Sequence, residues 1–229
     1  MTKSRNFQTG RTYHVTHRCH DRDFLLGKAV DRRQYMNLMW RARCEWDVSI
    51  LSYILTSNHV HLLLSAPEIG ELSGFMAHVS GGMARHYNRR KERAGSFWES
   101  RYRTTLVQDG VHLSRCLFYI EMNMVRAGVV SHPSKWGWSS FGELSGKRER
   151  YRLLDIDTLI RKLGQGGYEE FAPWYRKTLD ELSARRKSLK RELWWSEARI
   201  VGNEDFVSSL VEGRRRKDIV SSDNNIFYI

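Results

Sequence analysis

The chain has 229 residues, 41% hydrophobic and 12% aromatic, enough to bury a core and too apolar for a globally disordered polymer. Its 38 Lys and Arg outnumber 26 Asp and Glu, and the net charge of +12 points to a polyanionic partner, nucleic acid first and an anionic membrane surface second. Cys19, Cys44 and Cys116 lie far apart without a CxxC pair, which argues against a disulfide framework or zinc knuckle and for a reducing compartment.

The first residues, MTKSRNFQTGR, lack the apolar run of a signal peptide. No stretch approaches the ~20 apolar residues of a spanning helix. A cytoplasmic location with no membrane partner is therefore expected.

In chain order, RTYHVTHR (11–18) has a strand bias. DRRQYMNLMWRARCEW (31–46) has helical spacing, with Tyr35, Leu38, Met39, Ala42 and Trp46 on one stripe and Asp31 as N-cap. VSILSYIL (48–55) and HVHLLLS (59–65) read as strands joined by the turn residues TSN, an antiparallel hairpin. A helix over 69–91 takes its apolar face from Ile69, Leu72, Phe75, Met76, Val79, Met83 and Tyr87. RYRTTLVQD (101–109) is a fourth strand, and GVHLSRCLFYIEMNMVRAG (110–128) a helix stopped by Gly128. The order β-α-β-β-α-β predicts an α+β fold: a ferredoxin-like, split β-α-β antiparallel sheet with helices on one face, followed by a further helix and a helical C-terminal extension.

The division expected is a first domain over 1–145 and a basic helical extension over 146–229, with helices near 168–196 and 203–213. Eight of the twelve excess positive charges fall in the first part. The final SSDNNIFYI reads as a loose tail.

Successive strand side chains point to opposite faces, so His59 and His61 share one face and Val60, Leu62 and Leu64 the other. With the apolar set packed on the helices, the histidines project from the open face, close enough to grip one cation. The competing reading is a pair of histidines tied to backbone carbonyls. Tyr119 and Asn123 stand at i and i+4, hence on one helix face. Tyr119 offers a phenol oxygen as a nucleophile, and Asn123 an amide oxygen suited to Mg²⁺ or Mn²⁺. Taken singly, Tyr119 reads as a core aromatic beside Phe118, and Asn123 as a surface amide.

Together these residues resemble a family. SYILTSNHVHLLL is similar to the HUH motif, histidine–hydrophobe–histidine, of single-strand nucleases. FWESRYRTTLVQD followed by CLFYIEMNMVRAGVV resembles the tyrosine transposases associated with bacterial repetitive extragenic palindromes (REP), relatives of single-strand insertion-sequence transposases. The resemblance covers residues 11–145, and its specificity lies in the order HVH, YIxxN, VRAG. It implies that His59 and His61 bind a divalent metal, Mg²⁺ or Mn²⁺, with Asn123 as third ligand. It also implies that Tyr119 attacks single-stranded hairpin DNA, forming a 5′-phosphotyrosine and freeing a 3′-OH that can later reverse the step. Two positions depart from the family pattern: Thr56-Ser57 replaces Met-Pro before the Asn-His, and Met124 replaces the Pro after Asn123. Neither departure is expected to touch the chemistry. Met124 restores a backbone N–H and predicts a helix that runs on.

The physical logic agrees with this. A phosphodiester repels nucleophiles, and a cation on a non-bridging oxygen withdraws that charge. A phenol of pKa ~10 needs activation at neutral pH. No general base stands out. His112 is undecided, and Arg126 reads either as a phosphate holder or as a partner for the helix C-terminus. Neutral imidazoles are required for coordination, so activity is expected to fall below about pH 6. Arg85, Arg89 and Arg90 end the second helix, while Arg101 and Arg103 open the fourth strand beside Phe97, Trp98 and Tyr102. Such interleaving suits single strands, with charge along the backbone and rings on the bases. At least one of Phe97 and Trp98 is expected in the core. ARRKSLKREL (184–193), read as helix, and GRRRK (213–217) are candidate hairpin clamps or solvated faces. Trp194 and Trp195 are expected to pack rather than read bases. Two alternatives stand beside the transposase-like enzyme: a replication or relaxase-type HUH nickase, and a hairpin binder without chemistry. The site is expected in cis, in a monomer, with an exchanged dimer as the alternative.

Overall fold

The computed structural model describes residues 10–150, 152–186, 190–210, 220–222 and 226–228. Strands β1 (Thr12–Arg18), β2 (Ser49–Leu55), β3 (His59–Ser65) and β4 (Arg103–Val107) alternate with helices α1 (Ala29–Glu45), α2 (Ile69–Arg90) and α3 (Val111–Glu121). All three pairings among the four strands are antiparallel, and their order, β2-β3-β1-β4, is the ferredoxin-like plan. β5 (Ile200–Gly202) adds parallel to β4. Among the described residues the sheet then continues through β7 (Ile226–Tyr228) to β6 (Val220–Ser222). The tail expected to be loose thus supplies two paired strands. No helix among the described residues is long and apolar enough to cross a membrane.

The β1–β3 register decides the faces. Tyr13, Val15 and His17 sit opposite Leu64, Leu62 and Val60, while His14 and Thr16 sit opposite Leu63 and His61. The first set faces α1 and α2, where His17 meets the Ser80 hydroxyl of α2. These two helices approach closely: a methyl at Gly74 would overlap the Trp46 indole, and one at Gly82 would press on Leu38. Asp31 does not cap α1, which is preceded by Lys28; it lies in the first turn, 1% exposed, 2.5 Å from Arg90. Its carboxylate is buried because a guanidinium is there to receive it.

The other face, which carries the two histidines, is not open. α3, α6 (Ile156–Leu163) and α8 (Trp194–Glu197) cover it, packing on β2, β1 and β4. Ser52 of β2 donates to Glu121 of α3, Ser49 donates to Asp155 at the start of α6, and Trp195 of α8 is fully buried. The long C-terminal helix is shorter than expected: α7 spans Tyr168–Ala184, and the last helix, α9, is Glu204–Ser209. Of the ARRKSLKREL segment, the described residues after Ala184 are not α-helical; residues 187–189 lie outside those described, as does GRRRK. The helix bearing Tyr119 does not run unbroken to Gly128. Met122 (φ −80°, ψ 3°) separates α3 from α4 (Asn123–Arg126). Its N–H still bonds Phe118 O at 3.0 Å, and its own carbonyl accepts from Arg126 N at 2.9 Å. Because the i→i−4 ladder crosses the break, Tyr119 and Asn123 keep a common side.

Glu121 is buried on this face, where Ser140, just before α5 (Phe141–Leu144), donates to its carboxylate, and burial pushes its pKa up to about 7. Between the unfolded value of 4.5 and 7, the folded protein holds the proton that the unfolded chain has lost, so this group's stabilisation declines as pH rises. Glu121→Gln removes the effect. Relative to wild type the variant is expected to gain about 2 kcal/mol between pH 5.5 and pH 8, measured by urea unfolding. A difference that stays constant with pH contradicts the assignment.

Candidate active site

β3 places His59 and His61 on the covered face with ring centroids 5.0 Å apart. α3 brings the Tyr119 ring to 6.1 Å from that of His61, and α4 brings Asn123 Nδ2 to 3.1 Å from His61 Nε2. The four residues taken from the sequence as catalytic and metal-binding therefore converge. They line a cleft of about 720 Å³ whose rim carries Arg18, Arg22, Arg101, Arg103, Arg126 and Arg191. Against these six guanidiniums stand two lining carboxylates, Glu99 and Glu197. The excess of positive charge suits a phosphate backbone.

The hydrogen bonds behind the histidines decide where their lone pairs go. Asn58 Nδ2 donates to the Arg22 carbonyl, which turns its amide oxygen toward His59 Nδ1 at 2.7 Å. Thr56 Oγ1 spends its own proton on the His59 carbonyl and stands 3.0 Å from the same Nδ1. Both oxygens are acceptors here, so Nδ1 carries the proton and Nε2 the lone pair. The sequence reading had Thr56 and Ser57 outside the chemistry. In the structure Thr56 orients His59, and Arg32 ties the turn down through the Thr56 carbonyl and the Ser57 hydroxyl.

Behind His61 stands His14 of β1, a residue that the sequence reading passed over. Its Nε2 lies 2.9 Å from His61 Nδ1, and its Nδ1 lies 2.5 Å from the Trp195 carbonyl. Only the register between β1 and β3 reveals it, since in sequence it is one more histidine in a strand. The pair in HVH is therefore held by side chains rather than by backbone carbonyls.

Burial keeps these rings neutral. His59 is pulled down to about 4 by desolvation and then by Arg18, Arg191 and Arg126; His61 falls well below 6.5 by desolvation and then by His59, His14 and the same kind of arginine field. The loss of coordination expected below about pH 6 is thus moved downward. Neutral imidazoles with lone pairs on Nε2 are what a cation needs, and in His61 that lone pair accepts from the Asn123 amide at 3.1 Å. Among the described residues no cluster of three or more His, Cys, Asp or Glu side chains is placed to hold a metal, so a cation here relies on the two imidazoles and the Asn123 amide. That donor set fits a divalent cation once the Asn123 amide turns its oxygen inward.

Arg126 reaches Tyr119 twice: its guanidinium lies 4.1 Å from the ring centroid, and Nη1 donates to the Tyr119 carbonyl at 2.8 Å. It thus bonds a helix carbonyl, one of the two roles expected of it, and it also lines the cleft. Arg101 and Arg103 reach the cleft as well. Arg85, Arg89 and Arg90 are not among its lining residues, and Arg90 is paired with Asp31. His112 is also absent from the lining, buried with no hydrogen-bond partner at Nδ1. Phe97 is core at 1% exposure, whereas Trp98 stacks on His17 with centroids 3.8 Å apart. Arg18, Arg22 and Arg191 escaped the sequence reading because single arginines carry no motif.

The family described as "Transposase IS200 like" matches residues 8–123, just over half of the chain. The chain belongs to this family of IS200-like transposases. It is also 26% identical to a Haemophilus influenzae protein that carries the name REP-associated tyrosine transposase, over 44% of this chain and 64% of that protein. This chain thus spans a little under two thirds of that curated relative's length. A solved structure described as a REP-associated tyrosine transposase bound to a REP hairpin shares the fold, with a TM-score of 0.54 and 18% identity over 68% of this chain and 93% of that one.

The neutral histidines make the protein acid-labile. His14, His17 and His59 each sit at about 4 when folded, mainly through desolvation, against 6.5 unfolded. Stability present above pH 6.5 is lost as the pH falls toward 4, because the unfolded chain takes up protons that the folded one refuses. Three such groups amount to roughly 10 kcal/mol, comparable to the whole stability of a domain. Circular dichroism with no metal added is expected to show cooperative unfolding between pH 6 and pH 4. A thermal midpoint unchanged at pH 4 contradicts this.

Proposed function

We propose that the protein is a metal-dependent single-stranded DNA endonuclease and strand transferase that acts on hairpin DNA through a covalent 5′-phosphotyrosine. The observation that carries this reading is the convergence of Tyr119, His59, His61 and Asn123 in a cleft rimmed by six arginines. Membership of the IS200-like transposases and the REP-hairpin description of the solved structure support the choice of substrate.

His59 Nε2, His61 Nε2 and the Asn123 amide oxygen would hold Mg²⁺ or Mn²⁺, which when bound draws charge from a non-bridging phosphate oxygen. The arginine rim holds the flanking phosphates, and Arg126 fixes Tyr119 beside the histidines. The bond from the Tyr119 phenol oxygen to phosphorus forms as the P–O3′ bond breaks. The phenol gives up one proton and the departing 3′ oxygen gains one, so the step is balanced. Attack by a second strand's 3′-OH reverses it and joins the strands without a nucleotide cofactor.

Within one chain, Tyr119 already lies in contact range of His61, which supports a site completed in cis and a monomer. A replication or relaxase-type nickase and an inactive hairpin binder have no observation in their favour.

With labelled hairpin DNA from the flanks of its own gene and Mg²⁺ or Mn²⁺, the wild type is expected to form an SDS-stable protein–DNA band that EDTA abolishes. Tyr119→Phe should bind the hairpin as the wild type does and form no band. Cleavage that survives Tyr119→Phe rejects the nucleophile. Tight hairpin binding with no band, across several targets and both metals, favours the inactive binder.

A further inference from the structure

The Nε2 lone pair of His61 is present only if Nδ1 holds the ring's single proton. Nothing in the HVH segment secures this, because the atom behind His61 is another imidazole, which can donate or accept. The direction is set one residue further back. The Trp195 carbonyl oxygen is solely an acceptor, so His14 Nδ1, at 2.5 Å, must donate to it. A neutral His14 then presents a lone pair at Nε2, and His61 Nδ1, at 2.9 Å, must donate in turn. The two ring planes are nearly parallel, 15° apart, with centroids 5.0 Å apart.

We propose that His14 is a positioning residue that holds His61 as the Nδ1–H tautomer, taking its own polarity from the Trp195 carbonyl, so that the C-terminal segment sets the lone pair offered to the cation. This rests on the metal-site reading above.

The chain of contacts is rigidly mounted. His14 is fully buried in the middle of β1, paired with β3 on one side and β4 on the other. Trp195 is fully buried too, and its indole donates to Glu192 at 2.6 Å. The backbone beyond α8 is tied to β4: Thr105 donates to the Ala198 carbonyl at 2.6 Å, and Leu106 N to the Arg199 carbonyl at 2.8 Å. The carbonyl is therefore fixed by the same strand that pairs with β1. Without a partner of fixed polarity behind it, His61 can place its proton on Nε2 once the Asn123 amide turns its oxygen to accept it, and there the proton blocks coordination. Partners that orient a ligand histidine in this way are commonly worth 10- to 100-fold in metal affinity.

Two measurements test the relay. The first is the tautomer of His61 in the metal-free wild type, read from long-range ¹H–¹⁵N correlations in histidine-labelled protein. The Nδ1–H form is expected, and an Nε2–H form overturns the proposal whatever any variant does. The second is Mn²⁺ affinity by titration calorimetry, with hairpin binding as the control. His14→Phe is expected to lose about 10- to 100-fold in Mn²⁺ affinity and none in hairpin affinity. His14→Gln, whose amide oxygen accepts the same proton, should recover most of it. Unaltered Mn²⁺ affinity in His14→Phe, while His61→Ala abolishes binding, removes the relay and leaves the metal site standing. Mn²⁺ binding that survives His61→Ala removes the metal site itself, and the relay with it.

Discussion

The site depends on the direction of a few hydrogen bonds. An imidazole can serve a cation with either nitrogen, and each has to be told which. Asn58 and Thr56 tell His59, and His14 with the Trp195 carbonyl tells His61. The acceptors at the far ends are unambiguous, so both proton positions follow without choice. Burial then keeps the rings neutral, and the surrounding arginines act in the same sense. The positive charges that suit a polyanion also oppose protonation of the histidines, and so the proton that a metal would have to displace.

The sheet makes this arrangement reproducible. Alternation along β3 puts His59 and His61 on one face. The antiparallel register with β1 sets His14 beside them, and the covering helices exclude water from the back of the site. Tyr119 comes from α3 and Asn123 from α4, and the hydrogen-bond ladder across Met122 keeps them in phase. Arg126 belongs to the same turn of chain. The proposed nucleophile, the proposed third ligand and Arg126 therefore come from one continuous stretch of chain. Segments distant in sequence, from Arg18 and Arg22 to Arg191, complete the rim.

Much of this was legible in the residues. The strand and helix order, the hairpin around TSN, the shared face of His59 and His61, and the i, i+4 relation of Tyr119 and Asn123 all follow from local periodicity, which is where a sequence speaks most clearly. What it left hidden depends on contacts across the fold. His14 becomes meaningful only through strand register. Thr56 and Ser57 looked like neutral replacements because their hydroxyl partners are set by the turn. The second face of the sheet was taken as open because α6 and α8 return to it from the C-terminal third of the chain. Asp31 fits a capping pattern, yet its ion pair with Arg90 pulls it inside the helix. The 184–193 segment has helical composition, yet α7 ends at Ala184.

The central claim is that the Tyr119 phenol oxygen becomes joined to the 5′ side of a broken phosphodiester. The direct measurement is tandem mass spectrometry on the DNA-linked protein after protease and nuclease digestion. The account predicts a nucleotide remnant on the peptide containing Tyr119, attached through its 5′-phosphate, and a free 3′-OH on the released strand. A remnant on a different residue, or attachment through a 3′-phosphate, contradicts it.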